Sequence, residues 1–83
     1  MSKQTMTPAE ALDEAIRRAG GLTALGGYCG AIRQSVAQWR ENGVPIDRVA
    51  QIERGTGVRA ELLRPDVEWV RTKGRLTHYR VAV

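Results

Sequence analysis

The segment from Leu22 to Trp39 constrains the fold more than any other, because it predicts two short helices joined by a glycine turn. Apolar residues recur at helical spacing in both halves of the segment, so they would meet across the bend. They are Leu22, Leu25 and Cys29 in the first half and Ile32, Val36 and Trp39 in the second. We expect Gly26 at the closest approach of the two helices and Gly30 at the turn, where a left-handed backbone costs glycine little.

This layout, a helix, a glycine turn and a second helix with polar tips, is that of a helix-turn-helix. The second helix of such a motif fits the major groove of DNA. An ordinary helical hairpin needs the same apolar residues and the same turn glycine, so the segment alone leaves both interpretations open. The flanking sequence favours the DNA-binding one.

The composition indicates one small domain with a thin core. The chain has 83 residues and no Phe, so the core depends on aliphatic side chains and the two Trp. Cys29 is the only cysteine, which excludes an internal disulfide and favours a small buried side chain in a reducing compartment. No signal-peptide region and no run of membrane length is present, so we expect a soluble, intracellular protein.

The basic charge is unevenly distributed. Thirteen Lys and Arg against nine Asp and Glu give a net charge of +4, yet residues 1–68 contain nine of each and are neutral. The excess consists of Arg71, Lys73, Arg75 and Arg80. A basic excess fits a nucleic-acid partner, although basic tails also occur on proteins that bind nothing specific.

A first helix is predicted before the motif. Residues 1–6 are expected to be a flexible arm. Thr7, Pro8 and Glu10 then form a capping-box signal with Pro at the first helical position, and Gly20 ends the helix.

Two further helices are predicted after the motif. Pro45 begins a fourth helix that we expect Gly55 to close, and residues 58–64 are long enough for a short fifth. Residues 7–66 are therefore expected to form one mainly α domain, a bundle of about five short helices.

The last segment, residues 67–83, alternates with a period of two, which predicts strand. Lys73-Gly74 could turn a hairpin between Val67–Thr72 and Arg75–Val81, although Lys-Gly is a weaker turn signal than Asn-Gly. An isolated hairpin is marginal in water, so an ordered one must pack on the helices or pair with a second subunit. The alternative is a basic, partly apolar tail. We favour the ordered hairpin and treat it as a candidate dimerisation element.

Several short strings give the chain a specific resemblance. They are Ala-Gly-Gly-Leu-Thr-Ala-Leu at 19–25, Gly30, Gln-Ser-Val-Ala-Gln-Trp at 34–39, Gly-Val-Pro at 43–45, Ile-Glu-Arg at 52–54, Thr-Gly-Val at 56–58 and Leu-Arg-Pro-Asp at 63–66. With them, the stretch from Ala15 to Trp69 resembles the Cro-like phage repressors and the related YdaS-type regulators, a branch of the lambda-repressor-like helix-turn-helix family.

The resemblance implies a compact helical domain that binds operator DNA, usually as a symmetric pair, and often a phage or prophage origin. Ile32 departs from it, because these proteins often have Ser or Thr there to cap the recognition helix, residues 33–42. Two glycines inside one helix, Gly26 and Gly27, are a second departure, and the strand-like segment lies outside the resemblance.

Candidate DNA contacts follow from helical phase and side-chain chemistry. Arg can bond guanine as a fork and Gln can pair with adenine, so predicted base contacts are Arg33, Gln34, Ser35 and Gln38. Predicted phosphate contacts are Thr23, Arg40, Asn42 and Arg48. The alternative for each is a solvated surface residue. Candidate dimer-interface residues are Trp69, Leu76, Tyr79 and Val81. For Trp69 and Tyr79, covering the thin core is an equal alternative.

No enzymatic site is expected. His78, the only histidine, lacks partners at metal-ligand or triad spacing, and there is no glycine-rich phosphate loop. We expect no cofactor, metal, small-molecule ligand or membrane partner. The predicted function is a sequence-specific transcriptional regulator, a Cro-like repressor in the bacterial cytosol or nucleoid, that binds a pseudo-palindromic operator as a homodimer. The alternative is an antitoxin-type or polymerase-binding interaction module with incidental DNA contact.

Overall fold

The structure, a computed structural model, describes residues 6–81, and for positions 78, 80 and 81 the backbone alone. Five helices precede an antiparallel two-stranded hairpin. The helices are α1 (Pro8–Ala19), α2 (Leu22–Cys29), α3 (Arg33–Asn42), α4 (Ile46–Thr56) and α5 (Ala60–Leu63), and the strands are β1 (Val67–Thr72) and β2 (Arg75–Val81). The predicted five-helix fold with a C-terminal hairpin is confirmed. The predicted arm, apart from Met6, lies outside the described residues.

The first helix begins and ends as its sequence signals predict. The Thr7 hydroxyl accepts from the Glu10 amide at 3.1 Å, and the Glu10 carboxylate accepts from the Thr7 amide at 2.9 Å. Gly20 ends the helix in the left-handed conformation with φ +103°. The reciprocal capping box satisfies two backbone donors that would otherwise lack partners.

The helices enclose a small apolar core to which every helix contributes. Its buried members are Ala11, Leu12, Ala15, Leu25, Cys29, Val36, Trp39, Val44, Val49, Ile52, Val58, Ala60 and Leu63. The predicted inward positions in α2 and α3 are confirmed, with Leu22 half-buried at the margin, except at Ile32. That side chain is 66% exposed. The prediction was wrong because Ile32 precedes α3 with an extended backbone (φ −85°, ψ 162°), so helical phase does not apply to it.

The fourth helix does not end at Gly55. It continues to Thr56, and Gly57 provides the left-handed cap with φ +81°. Gly55 instead lies against the ring of Tyr28, because a Cβ built on Gly55 would be 2.8 Å from the ring carbons. The absence of a side chain at Gly55 therefore allows Tyr28 of α2 to pack against α4. The fifth helix is also shorter than predicted, since only Ala60–Leu63 are helical.

The hairpin has the predicted strands and turn. Lys73 and Gly74 both have positive φ, 54° and 81°, as a two-residue type I′ turn requires. The register shifts between Val70 and Arg71, so β2 contains a bulge at Thr77, whose hydroxyl donates to the Val70 carbonyl at 3.1 Å. The bulge breaks the strict alternation expected from sequence.

Arg71 joins the hairpin to the helices. Its guanidinium donates four hydrogen bonds of 2.7–2.9 Å to the carboxylates of Glu53 and Glu61. The Trp69 indole donates to the Arg64 carbonyl at 3.0 Å. The segment therefore packs on its own helical domain, the first of the two ways in which an ordered hairpin was expected to be stabilised.

Candidate nucleic-acid interface

The predicted recognition helix, α3, has one buried face and one polar face. Val36 and Trp39 are 0% and 8% exposed and anchor the helix in the core. Residues on the other face are exposed: Arg33, Gln34, Ala37, Gln38 and Glu41. Ser35 is half-buried. A helix held on one side and carrying long hydrogen-bonding side chains on the other is the element that DNA-binding proteins insert into the major groove.

The position of α3 is fixed through the glycine turn. A Cβ on Gly26 would lie 2.2 Å from the Ala31 carbonyl oxygen and 3.5 Å from Val36 Cγ2, which confirms Gly26 as the point of closest approach. Gly30 has φ +68° and closes α2, and the Ala31 amide donates to the Gly26 carbonyl at 2.9 Å. The turn therefore sets the angle at which the polar face of α3 is presented.

The helices of the motif begin without side-chain caps. Within the described part of the chain, α1 has a capping side chain, whereas α2 begins after Gly21, α3 after Ile32 and α4 after Pro45 without one. Uncapped amides at a helix N-terminus favour anions such as phosphate. Thr23, a predicted phosphate contact, is exposed in the first turn of α2.

Two of the predicted phosphate contacts are engaged within the protein. Arg40 donates to Asp13 on α1, Nε to Oδ1 at 2.6 Å and Nη2 to Oδ2 at 2.9 Å. These bonds lower the pKa of Asp13 and raise that of Arg40. Arg48 donates to the Cys29 carbonyl at 2.9 Å. Each guanidinium keeps further N–H donors, so both can still contact an anion. Asn42 is exposed at the end of α3.

Most other described Arg side chains are paired with carboxylates away from α3. Glu14 accepts from Arg17 and Arg18, which lowers its pKa to about 2. Arg64 pairs with Asp66 and lowers the pKa of that carboxyl. Arg33 makes no ion pair with any residue that the structure describes. Its charge is therefore free to act at the exposed face of α3.

The structure explains two strings of the resemblance that sequence reasoning left without a role. Glu53, in Ile-Glu-Arg, accepts from the Ala60 amide at 2.7 Å and from Arg71, so it joins α4, α5 and β1. Arg64, in Leu-Arg-Pro-Asp, donates to Asp66 and to the Val44 carbonyl at 2.9 Å. Apart from the Arg64–Asp66 pair, no local pattern signals these bonds, because their partners lie 7 to 20 residues away in the sequence.

Three of the candidate dimer-interface residues, Trp69, Leu76 and Tyr79, line an apolar groove between α4 and the hairpin. The groove has a volume of about 320 Å³ and is lined by Ile46, Asp47, Ala50, Trp69, Leu76, Thr77 and Tyr79. The rings of Trp69 and Tyr79 lie 5.4 Å apart, and Tyr79 is 43% exposed. Trp69 and Leu76 also pack partly on the core, so they cover it. The side chain of Val81 lies outside the described residues.

Other kinds of site find little support in the described residues. They contain no group of three His, Cys, Asp or Glu side chains that could hold a metal ion, and no helix long and apolar enough to cross a membrane. Cys29 is 1% exposed, and its burial raises the pKa of the thiol. A buried thiol with a raised pKa is a poor nucleophile.

Comparison with known proteins supports the resemblance seen in the sequence. Residues 12–72 match the family model described as bacterial toxin YdaS. Among solved structures, the chain is similar to the Cro protein from the putative prophage element Xfaso 1 in Xylella fastidiosa strain Ann-1. The TM-score is 0.64 and the identity 37%, over 68% of this chain and 91% of that chain. No curated protein matches.

The family model ends at Thr72, the last residue of β1. Strand β2, which supplies Leu76, Thr77 and Tyr79 to the groove, therefore lies beyond the matched region, whereas the rest of the groove lies within it. Within that region, most residues of the short strings that carry the resemblance lie in the helices or the glycine turn, or take part in the bonds of Glu53 and Arg64. The chain belongs to the YdaS family and has a Cro-like fold.

Proposed function

We propose that the protein is a sequence-specific DNA-binding transcriptional regulator, a Cro-like repressor that reads a pseudo-palindromic operator through α3. The observation that carries this proposal is the exposed polar face of α3, held in place by the buried Val36 and Trp39 on the opposite face. Similarity to the prophage Cro protein supports it. Occupation of a promoter by the bound protein would repress transcription.

Individual side chains have distinct roles in the proposed complex. Arg33, Gln34 and Gln38 contact base edges, because their donors and acceptors match those of guanine and adenine in the major groove. Ser35 contacts a base or a phosphate. Phosphate contacts come from Thr23, Arg40, Asn42 and Arg48, and they fix the register of the protein on the duplex.

The complex is proposed to contain two copies of the chain. Residues 7–66 form the DNA-binding domain, and residues 67–83 carry the dimerisation element. Three features support this division: the apolar groove lined by Trp69, Leu76 and Tyr79, the position of β2 beyond the family match, and the edge of β2, which pairs with β1 alone among the described strands. Two recognition helices would then enter successive major grooves about 34 Å apart.

Selection from a random DNA library of about 30 base pairs, at near-physiological salt where non-specific binding is weak, tests the function directly. We expect enrichment of an inverted repeat whose half-sites lie about one helical turn apart. Gln34→Ala and Gln38→Ala should each weaken binding to that site by about 1–3 kcal/mol and relax base preference at one position. Glu68→Ala, at an exposed position on β1, is the control and should neither weaken binding nor change base preference. A folded protein that enriches no motif would overturn the proposal.

Dimerisation is tested by placing a charge in the groove. Tyr79→Lys should make the protein monomeric in sedimentation experiments and weaken operator binding, because burying an unpaired ammonium is costly. Thr72→Lys adds a cation at an exposed position outside the groove and should preserve both properties. A wild-type protein that is monomeric in sedimentation experiments, together with unchanged operator affinity in Tyr79→Lys, would exclude the dimer.

A second candidate is an interaction module of antitoxin or polymerase-binding type, with incidental DNA contact. The description of the family as a bacterial toxin is the observation that favours it. An enriched operator whose binding depends on Gln34 and Gln38 would exclude this candidate. Absence of an enriched motif, together with binding to RNA polymerase in sedimentation, would replace the regulator with the interaction module.

A further inference from the structure

Ile32 is an apolar side chain at the polar N-terminal end of the proposed recognition helix, α3. It is the N-cap residue of α3, directly before the exposed Arg33 and Gln34. Its exposed fraction, 66%, exceeds that of the other exposed large hydrophobic residues, Met6, Tyr28 and Tyr79 at 36–45%.

Neither packing nor capping explains an isoleucine at this position. Ile32 is absent from the core and from the partly buried residues that pack on it. It makes no side-chain cap, although Ser, Thr, Asp or Asn there would accept from the free amides of the first turn. The Ile32 carbonyl accepts from the Ser35 and Val36 amides, a role that any residue could perform. The apolar side chain therefore contributes little to the isolated domain.

We infer that Ile32 packs against the 5-methyl group of a thymine in each operator half-site. The N-terminal end of a recognition helix is the end that approaches the bases, and the thymine methyl is the apolar group of the major groove. Arg33 and Gln34 supply polar contacts at the same end, so an apolar neighbour would add discrimination between thymine and cytosine. This inference rests on the proposed function and extends its specificity.

The contact can be tested by removing the methyl group alone. Thymines of the selected operator are replaced by deoxyuridine one position at a time, in both half-sites together. Binding to each operator is measured by fluorescence anisotropy at fixed salt. At one thymine position, we expect wild-type affinity to fall about fourfold per half-site, from burial of one methyl group. If the two half-sites act independently, the loss is about sixteenfold in all.

Three variants assign the effect to the side chain. Ile32→Ala should bind the thymine and uracil operators equally. Ile32→Ser should do the same while its thermal midpoint is maintained or raised, because serine supplies the missing cap acceptor. Gln38→Ala is the matched control on the same helix: it should bind more weakly yet keep the loss on methyl removal.

Two results separate this inference from the proposed function. An operator whose binding responds to Gln34 and Gln38, but whose methyl sensitivity is the same with and without Ile32, overturns the inference alone. The same holds if no thymine position is sensitive. Failure to enrich any operator overturns the proposed function and this inference together.

Discussion

At the scale of single residues, two adjacent glycines of α2 differ in what surrounds them. A Cβ on Gly26 would lie 2.2 Å from the Ala31 carbonyl oxygen, whereas a Cβ on Gly27 would meet nothing within 4 Å. Gly26 thus permits the close approach between α2 and the turn before α3, while Gly27 contributes only backbone freedom. The geometry of the proposed interface depends on the first glycine alone.

Gly26→Ala should lower the free energy of unfolding by about 1–3 kcal/mol, because the obstructing oxygen belongs to the backbone and cannot rotate aside. Gly27→Ala should instead raise it by about 0.5–1 kcal/mol, since alanine favours the helix. Urea unfolding followed by circular dichroism measures both changes. If the two substitutions had equal effects, the Ala31 carbonyl would not be what excludes a side chain at position 26.

Helical spacing in the sequence predicts which side chains are buried only where the backbone is helical. Spacing correctly places Val36 and Trp39 inside, because both lie within the regular turns of α3. The same spacing misplaces Ile32, since the helix begins one residue later. Gly55 is misread for a related reason: a glycine near a helix end signals a stop, but here it makes room for the Tyr28 ring.

At the scale of elements, the hairpin depends on a cluster that the sequence does not reveal. Its strands and turn are predictable from period-two alternation and from Lys73-Gly74. Its attachment is not, because Arg71 binds carboxylates 10 and 18 residues away, at Glu61 and Glu53. From sequence, Arg71 is counted among the surplus charges, yet its side chain is 15% exposed. One of the four cations assigned to a basic tail is therefore internal.

Acid should weaken this attachment. Hydrogen bonds from Arg71 hold the pKa values of Glu53 and Glu61 below the ordinary value of 4.5. Near that pH the unfolded chain binds more protons than the folded one, so stability falls as the pH decreases through the folded-state pKa values. Arg71→Gln should cost about 1–3 kcal/mol at neutral pH, and the difference from wild type should shrink below about pH 4.

Urea unfolding of both proteins at several pH values measures this difference. Arg75→Gln removes the same charge at an exposed position just past the turn, and it should change stability by less than about 0.5 kcal/mol at any pH. A stability difference between wild type and Arg71→Gln that stays constant with pH would mean that the two carboxylates do not depend on Arg71 in the folded state.

At the scale of the whole molecule, ion pairs within the protein reduce the number of Arg side chains that are free to contact DNA. The net charge of +4 includes Arg71, which is held between two carboxylates, and Arg40, which is bonded to Asp13. Asp13 lies on α1 and Arg40 at the far end of α3, so this pair also joins the proposed recognition helix to the first helix. A phosphate contact from Arg40 would have to share the guanidinium with Asp13 or displace it.

Asp13→Asn should therefore tighten operator binding, because it removes a competing acceptor and a negative charge beside a phosphate contact. Asp66→Asn is a matched control: it removes the same charge from an exposed Arg–Asp pair, that of Arg64, away from α3. Each substitution should change stability by no more than about 1 kcal/mol, since exposed pairs contribute little. Titrations over a range of salt concentrations should show a larger gain for Asp13→Asn than for Asp66→Asn. Equal gains would mean that net charge alone matters and that Arg40 does not contact the DNA backbone.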